Sequence, residues 1–217
     1  MKTHNNTLRN TTRLRVLESA AAVFAEKGYR DATIAEICEH ANANVASVNY
    51  YFGDKRQLYD QVWRHAHKIA TETHPLDACL SDDALPEEYL YAFVSGMAKR
   101  ILSKGPAGHF QRLMAREIAE PTWAHMAIVE EAIRPESERL EGIVKKLLGG
   151  RGTKDQVRLC ALSVISQCLF LNLNKTGHKR DFKGKGLKQI EILAWHITLF
   201  SLAGIREVKD LTKGNES

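Results

Sequence analysis

The 217-residue sequence has few cysteines and no long apolar run. Its four cysteines, Cys38, Cys79, Cys160 and Cys168, form no C-x-x-C pair, so we expect reduced thiols. No window approaches the roughly eighteen consecutive apolar residues of a membrane helix. The N-terminal MKTHNNTLRNTTRLR also lacks the apolar core of a signal peptide. We therefore predict a cytoplasmic protein.

Motifs of catalytic and metal sites are missing as well. We find no G-x-S-x-G, no H-E-x-x-H and no paired carboxylates, and the basic, glycine-rich GHKRDFKGKG lacks the residue order of a phosphate loop. Cys160 and Cys168 lie two helical turns apart, too far to bind one metal ion without ligands from another helix. We predict no enzyme, no cofactor and no metal site.

Positive charge is unevenly distributed along the chain, whose formal net charge is +5. Residues 1–15 contain Lys2, Arg9, Arg13 and Arg15 and no acid, which is typical of an arm that seeks phosphate. Residues 178–188 are also basic, and there a solvated loop and a binding patch both remain open. We interpret residues 1 to 11 as a flexible basic arm.

Nearly every segment has the apolar period of a helix, and strand-type alternation is nowhere sustained. Leu14, Leu17, Ala21 and Phe24 recur at steps of three and four residues, and Gly28 follows as a left-handed stop. The fold class that this predicts is all-α. We expect an N-terminal three-helix helix-turn-helix domain and a larger C-terminal helical bundle, about nine helices in total.

Short helices separated by a tight turn follow the first helix. Thr33 is a good N-cap with a glutamate three residues on, Asn42 accepts positive φ, and Asn44 can cap the next helix. In that helix Val48 and Phe52 lie four residues apart and should face the core. This outline is typical of a helix-turn-helix.

The run RVLESAAAVFAEKGYRDATIAEICEHANANVASVNYYFGDKRQLYDQVW resembles the DNA-binding domain of TetR-family transcriptional regulators. The resemblance covers about residues 12 to 64 and rests on AAxxFAEKGY, T-I-x-x-I and YYF-x-x-K-x-x-L. Cys38 and Asn42 replace a typical Ala and Gly, but a small buried thiol and a turn-tolerant Asn fit those positions. The later FQRLMAREIAEPTWAHMAIVEEAIRPESERLEGIVKKLL resembles the C-terminal domain of the CecR-type subgroup, which implies a ligand-sensing and dimerising helical domain.

The outward face of the predicted third helix carries small and amide side chains suited to base edges. Asn49 can pair with adenine, Ser47 with several bases, and Val45 or Ala46 with a thymine methyl group. The resemblance implies phosphate contacts for Tyr50 and Lys55, and Thr33 can offer a hydroxyl and helix amides; Thr33 as a plain N-cap and Lys55 as a solvated charge are the alternatives. The predicted DNA-binding residues are Thr33, Asn44, Val45, Ala46, Ser47, Asn49, Tyr50, Tyr51 and Lys55.

The rest of the chain predicts helices at 86 to 103, 107 to 119, 122 to 148, 154 to 175 and 186 to 208. Residues 157–173 and 192–205 are apolar almost all round, so these helices need burial on every side. We expect them to form a homodimer interface, with the core of a single subunit as the alternative. The predicted domains are 12 to 55 for the helix-turn-helix, 56 to 74 for a linking helix, 75 to 210 for the sensing and dimerisation domain, and 211 to 217 for a tail.

A ligand pocket in the C-terminal domain is the least specific prediction. Its candidate residues combine apolar walls with polar groups, as small-molecule sites do. The alternatives are that the Met and aromatic residues at helical spacing form the core, and that Arg116 takes part in an ion pair. The candidate residues are Tyr91, Phe93, Met97, Phe110, Arg112, Met114, Arg116, Trp123, His125, Met126, Gln167 and Phe170. We predict a homodimeric repressor that a small molecule releases from a palindromic DNA operator. A DNA-binding protein without ligand sensing is the alternative.

Overall fold

The chain is helical throughout the part that a computed structural model describes, which comprises residues 2–78, 80–173 and 187–214, with side chains from residue 11 to 211. The helices are α1 Lys2–Asp31, α2 Ile34–Ala41, α3 Val45–Phe52, α4 Lys55–Thr73, α5 Pro86–Leu102, α6 His109–Ala119, α7 His125–Ile128, α8 Arg134–Leu147, α9 Lys154–Leu173 and α10 Leu187–Gly214. A 3-10 turn, Pro106–Gly108, precedes α6. The all-α prediction is confirmed.

One predicted helix, 122 to 148, is divided in the structure. A π-helical turn, Val129–Ile133, connects α7 to α8 without a break. Pro135 stands in the first turn of α8, and because it has no N–H it donates no hydrogen bond to the π-helical turn before it. With this run counted as one helix, the described ranges contain nine.

The backbone from Lys2 is helical, where the sequence predicts a flexible arm. Adding residues to an existing helix costs less than starting a new one, so α1 extends through a stretch of weak helix formers. At its other end α1 kinks at Gly28, whose φ of 80° lies in the positive range that favours glycine. The helix then makes a short final turn to Asp31.

The chain divides into two compact units. The first unit contains Met1–Thr73 together with Ser103–Ile128, and the second contains His74–Leu102 and Val129–Ser217. The predicted boundaries instead place α6 and α7 with the C-terminal domain. In the first unit α6 packs against α1 and α4, and Phe110 and Leu113 of α6 are fully buried.

The second unit has an apolar core formed by α5, α8, α9 and α10. Its centre contains Leu90, Phe93, Val144, Val164 and Ala194. Cys160 and Cys168 are buried free thiols in the same core, and burial raises the pKa of Cys168 to about 12. Residues 178–186 of the second basic cluster, and Cys79, lie outside the described residues. No described helix combines the length and the hydropathy that crossing a bilayer requires.

Candidate nucleic-acid interface

Helix α2 begins with a reciprocal capping box. The hydroxyl oxygen of Thr33 accepts a hydrogen bond from the Glu36 backbone N–H at 3.2 Å, and the Glu36 carboxylate accepts from the Thr33 backbone N–H at 3.2 Å. Lys27 forms an ion pair with the same carboxylate. The predicted N-cap is therefore confirmed, and it fixes where α2 leaves the end of α1.

The turn between α2 and α3 has the predicted left-handed residue. Asn42 has a φ of 46°, and the Ala43 N–H donates to the Cys38 carbonyl at 2.9 Å. Asn44 then caps α3, because its Oδ1 accepts from the Ser47 backbone N–H at 2.7 Å. The Ser47 hydroxyl donates to the same oxygen at 2.9 Å. Because its hydrogen is used in this bond, the Ser47 hydroxyl can act only as an acceptor towards a further group.

Helix α3 has one buried face and one exposed face. Val48 and Phe52 are buried at 0% and 2% exposure, as their spacing predicts. Val45 and Tyr50 are 50% and 69% exposed, and Ala46 and Asn49 are exposed beside them. Four of the residues predicted to contact DNA, Val45, Ala46, Asn49 and Tyr50, are therefore exposed on α3.

Aromatic rings and a glycine determine the carboxyl end of α3. The half-buried Tyr51 holds the exposed Tyr50 in an edge-to-face contact, with ring centroids 5.0 Å apart. Gly53 follows with a φ of 79°, a conformation that favours glycine. A Cβ at this position would also collide with the Gln57 side chain. Asp54 then caps α4 by accepting from the Gln57 N–H at 2.8 Å.

Lys55, predicted to hold phosphate, is partly engaged within the protein. Its ammonium donates to the Arg30 carbonyl at 3.2 Å and lies 4.5 Å from the ring centroid of Tyr29. Burial lowers the pKa of this lysine below its ordinary value. An ammonium group has three donors, so one hydrogen bond within the protein leaves others for an anion.

Helix α6 is joined to α1 by an arginine from the predicted pocket set. The Arg116 guanidinium donates to the Glu26 carbonyl, and its aliphatic stem lies beside Gly28. Arg112 similarly donates to the Ser103 and Gly105 carbonyls, at 2.9 and 3.4 Å. Both side chains thus satisfy the backbone of their own unit.

A buried carboxylate in the first unit, that of Glu117, accepts three hydrogen bonds. Glu117 is 1% exposed and accepts from the Tyr59 hydroxyl at 2.6 Å, the Thr122 N–H at 3.0 Å and the Thr122 hydroxyl at 2.8 Å. Burial, and then the bond to Glu117, raise the pKa of Tyr59 above its ordinary value. His125 Nδ1 lies 4.0 Å from the carboxylate. In the sequence, this group is indicated only by Glu117, a charged residue within a helix whose neighbouring positions follow an apolar pattern.

The twelve predicted pocket residues are divided between the units, seven in the first and five in the second. In the first unit Phe110 and Met114 are core, Met126 is exposed, and the Trp123 indole N–H points at Asp60, 3.3 Å away. In the second unit Phe93 and Met97 are core. Tyr91 contacts the ring of Trp195, Gln167 donates to Ser201 at 3.1 Å, and Phe170 is exposed.

Helices α9 and α10 expose large apolar side chains. These repeat at helical spacing and are 41% to 68% exposed. We call them the apolar face, defined by Leu159, Leu162, Leu169, Phe170, Leu187, Ile192, Trp195, Leu199 and Phe200. Exposed large apolar side chains that repeat along two helices are typical of a protein interface.

Sequence and structure comparisons agree with this arrangement. Residues 16–62 match the family described as bacterial regulatory proteins, tetR family. Residues 86–205, more than half of the chain, match the HTH-type transcriptional dual regulator CecR, C-terminal domain. The transcriptional dual regulator CecR of Shigella flexneri is 27% identical over 169 residues, which are 74% of this chain and 75% of the relative.

Solved structures show the same fold at low identity. AibR in complex with isovaleryl coenzyme A and operator DNA has a TM-score of 0.67 and 18% identity, over 87% of this chain and 97% of AibR. FadR of Bacillus subtilis in complex with stearoyl-CoA has a TM-score of 0.67 and 14% identity, over 88% of this chain and 98% of FadR. Together with the two family matches, the helix-turn-helix geometry shows that this chain belongs to the TetR family of DNA-binding transcriptional regulators.

Proposed function

We propose that this regulator is a homodimeric repressor that binds a palindromic operator and that a small-molecule effector releases it. The proposal of DNA binding rests on the two faces of α3. Val48 and Phe52 are buried, whereas Val45, Ala46 and Asn49 are exposed. A recognition helix needs this combination, because its anchors fix its angle and its free face enters the major groove.

The apolar face supports the dimer. A two-fold pair of recognition helices spaced by about one DNA turn reads a palindrome, and each half-site multiplies the affinity. Trp195 and Phe200 are the kind of aromatic side chains that dominate protein interfaces. We assign dimerisation to α9 and α10, as the sequence predicts. A dimer seated on its operator would obstruct transcription from an overlapping promoter.

We divide the DNA contacts into two classes. Thr33, Tyr50 and Lys55 would hold phosphate, with Tyr51 supporting the Tyr50 ring. Base reading belongs to the exposed side chains at the start of α3, and Asn49 is the one able to make a bidentate contact with adenine.

Effector sensing is supported by the structural relatives. AibR and FadR were solved with acyl-coenzyme A compounds, and AibR with operator DNA as well. An effector can act only through different affinities for the DNA-competent and DNA-incompetent states. We propose the second unit as the place where it binds, with a change in the spacing of the two recognition helices as the result.

DNA binding without sensing is the second candidate. It is favoured by the arginines of the predicted pocket, since Arg112 and Arg116 both donate to backbone carbonyls of the first unit. One experiment in two steps distinguishes the two candidates. Duplexes are selected from a random pool, and compounds are then tested for release of the selected duplex. A broad screen in which no compound releases the DNA would favour the second candidate.

Replacement of Asn49 tests the reading face. We expect Asn49→Ala to reduce the preference for the selected duplex over a scrambled one by about 10-fold, because a bidentate base contact contributes about 1 to 3 kcal/mol of discrimination. Affinity for the scrambled duplex, measured by fluorescence anisotropy, is the control and should stay unchanged. Full retention of the preference would show that Asn49 reads no base.

The salt dependence of binding tests the DNA assignment as a whole. Phosphate contacts release counterions, so affinity should fall steeply as salt rises from about 50 to 200 mM. A complex that is insensitive to salt would contradict the proposed function.

A further inference from the structure

The second unit contains an open cavity of about 370 Å³. It lies between the connection that follows α4, the first turns of α5 and one side of α8. None of the twelve residues predicted to form a pocket line it. Its volume falls within the range of small-molecule sites, which begins at about 300 Å³.

The floor of the cavity is apolar. Leu76 and Ile143 are buried at 4% and 7% exposure, and Leu80 and Pro86 continue the same wall. Burial of an apolar ligand body against this floor would remove hydrocarbon surface from water. The cavity therefore suits a molecule with an aliphatic or aromatic body.

Gly142 keeps the cavity open. It lies inside α8, and a Cβ built on it would meet no atom within 4 Å. Glycine in a helix interior costs about 1 kcal/mol relative to alanine, yet neither a close neighbour nor a positive φ requires it here. Most larger side chains at this position would occupy the space above Ile143.

The charges around the cavity differ in how they are paired. Arg139 and Asp77 form an ion pair with 2.7 Å between nitrogen and oxygen. Lys146 lies 5.7 Å from the ring centroid of Tyr89, and no described carboxylate pairs with it. Asp82 and Lys146 both line the cavity, and both side chains are exposed to water, which screens both charges. Lys146 is thus a cation that the Tyr89 ring positions beside an apolar floor.

We propose that this cavity binds a small carboxylate with an apolar body, its carboxylate at Lys146 and its body over Leu76 and Ile143. Gly142 supplies the space for that body. As an effector site, the cavity rests on the proposed function; as a binding site, it rests only on the geometry of the second unit.

Binding of 4-phenylbutyrate to the full-length protein tests the site, measured by ligand-observed NMR titration. We expect Gly142→Leu to weaken binding about 10-fold or more by filling the cavity. Lys146→Gln should weaken binding about 5-fold by removing a charged partner. Lys145→Gln, an exposed neighbour that does not line the cavity, is the matched control and should change affinity less than about 2-fold.

Two ligand analogues test the charge assignment. The neutral 4-phenylbutanamide should bind more weakly than the acid and should not respond to Lys146→Gln, and 4-phenylbutylamine should bind weakest. Tighter binding of the amine, equal binding to wild type and Gly142→Leu, or no saturable binding up to about 10 mM would overturn the proposal. Should Gly142→Leu fail to fold, the Lys146→Gln and analogue results still decide the question.

Each sample is also tested for binding to the selected duplex. A protein that binds the duplex but not 4-phenylbutyrate overturns this inference alone. A wild-type protein that binds no duplex overturns the proposed function and leaves the cavity result standing.

Discussion

Helix α3 and helices α9 and α10 both present side chains to water, but the chemistry of the two surfaces differs. The open face of α3 mixes Ala46 and Asn49 with the exposed Val45 and Tyr50, and its anchors Val48 and Phe52 are buried. Helices α9 and α10 expose Leu162, Trp195 and Phe200. A surface of small and polar groups can remain hydrated, whereas exposed large apolar side chains are typical of a surface that a protein partner covers.

The largest expected effect comes from placing a charge on the apolar face. Phe200→Arg should yield a monomer by analytical ultracentrifugation and lower operator affinity about 100-fold or more, because burying two unpaired cations at a two-fold interface costs about 3 kcal/mol or more. Ser137→Arg adds the same charge at an exposed position of α8 and should leave the dimer intact. A dimeric Phe200→Arg protein would show that the dimer forms elsewhere.

Two tyrosines in the first unit should separate stability from DNA affinity. Tyr59→Phe removes the 2.6 Å hydrogen bond to Glu117, so the free energy of unfolding should fall by about 2 kcal/mol in urea titrations. Tyr50→Phe removes an exposed hydroxyl and should leave the free energy of unfolding unchanged. It should weaken binding to the selected and the scrambled duplex equally, because a phosphate contact carries no sequence information. Equal effects of both changes on stability would contradict this separation.

The smallest predicted effect is a dependence on pH that arises in the first unit. Burial, with Arg112 and His65 nearby, lowers the pKa of His109 to about 4. Between that value and the ordinary pKa of 6.5 only the unfolded chain binds the proton, so stability decreases as pH falls through this window. From about pH 7 to pH 5 the loss should be about 1 kcal/mol after allowance for partial exposure.

The control for this effect is His109→Gln. The variant should lose less stability than wild type between the same two pH values, as measured by urea unfolding. An identical loss in both proteins would assign the acid sensitivity to other groups.

The local features of the first unit could be predicted from the sequence because their partners lie within a few residues. The Thr33 cap, the left-handed Asn42 and the Asn44 cap each involve residues three or four positions apart. The buried positions of α3 follow from helical spacing for the same reason. These local patterns predict the fold, whereas the DNA-binding function was inferred from the resemblance to the family motifs.

The partners of Arg116 and Glu117 could not be predicted in the same way. Arg116 donates to a carbonyl 90 residues earlier, and Glu117 accepts from Tyr59, 58 residues earlier. Periodicity shows only that a polar residue interrupts an apolar stripe. A ligand, an ion-pair partner or a backbone group can each satisfy the hydrogen-bonding needs of that residue equally well. The cavity beside Gly142 was missed because an empty space leaves no residue pattern.

The bond from Arg116 to Glu26 means that the first unit is not one continuous piece of chain. A fragment ending at Thr73 would leave Tyr59 and the α1 carboxyl end without the groups that satisfy them, and would expose the surfaces that Phe110 and Leu113 cover. Chimeric regulators that exchange DNA specificity should therefore transplant residues 103–128 together with the N-terminal helices.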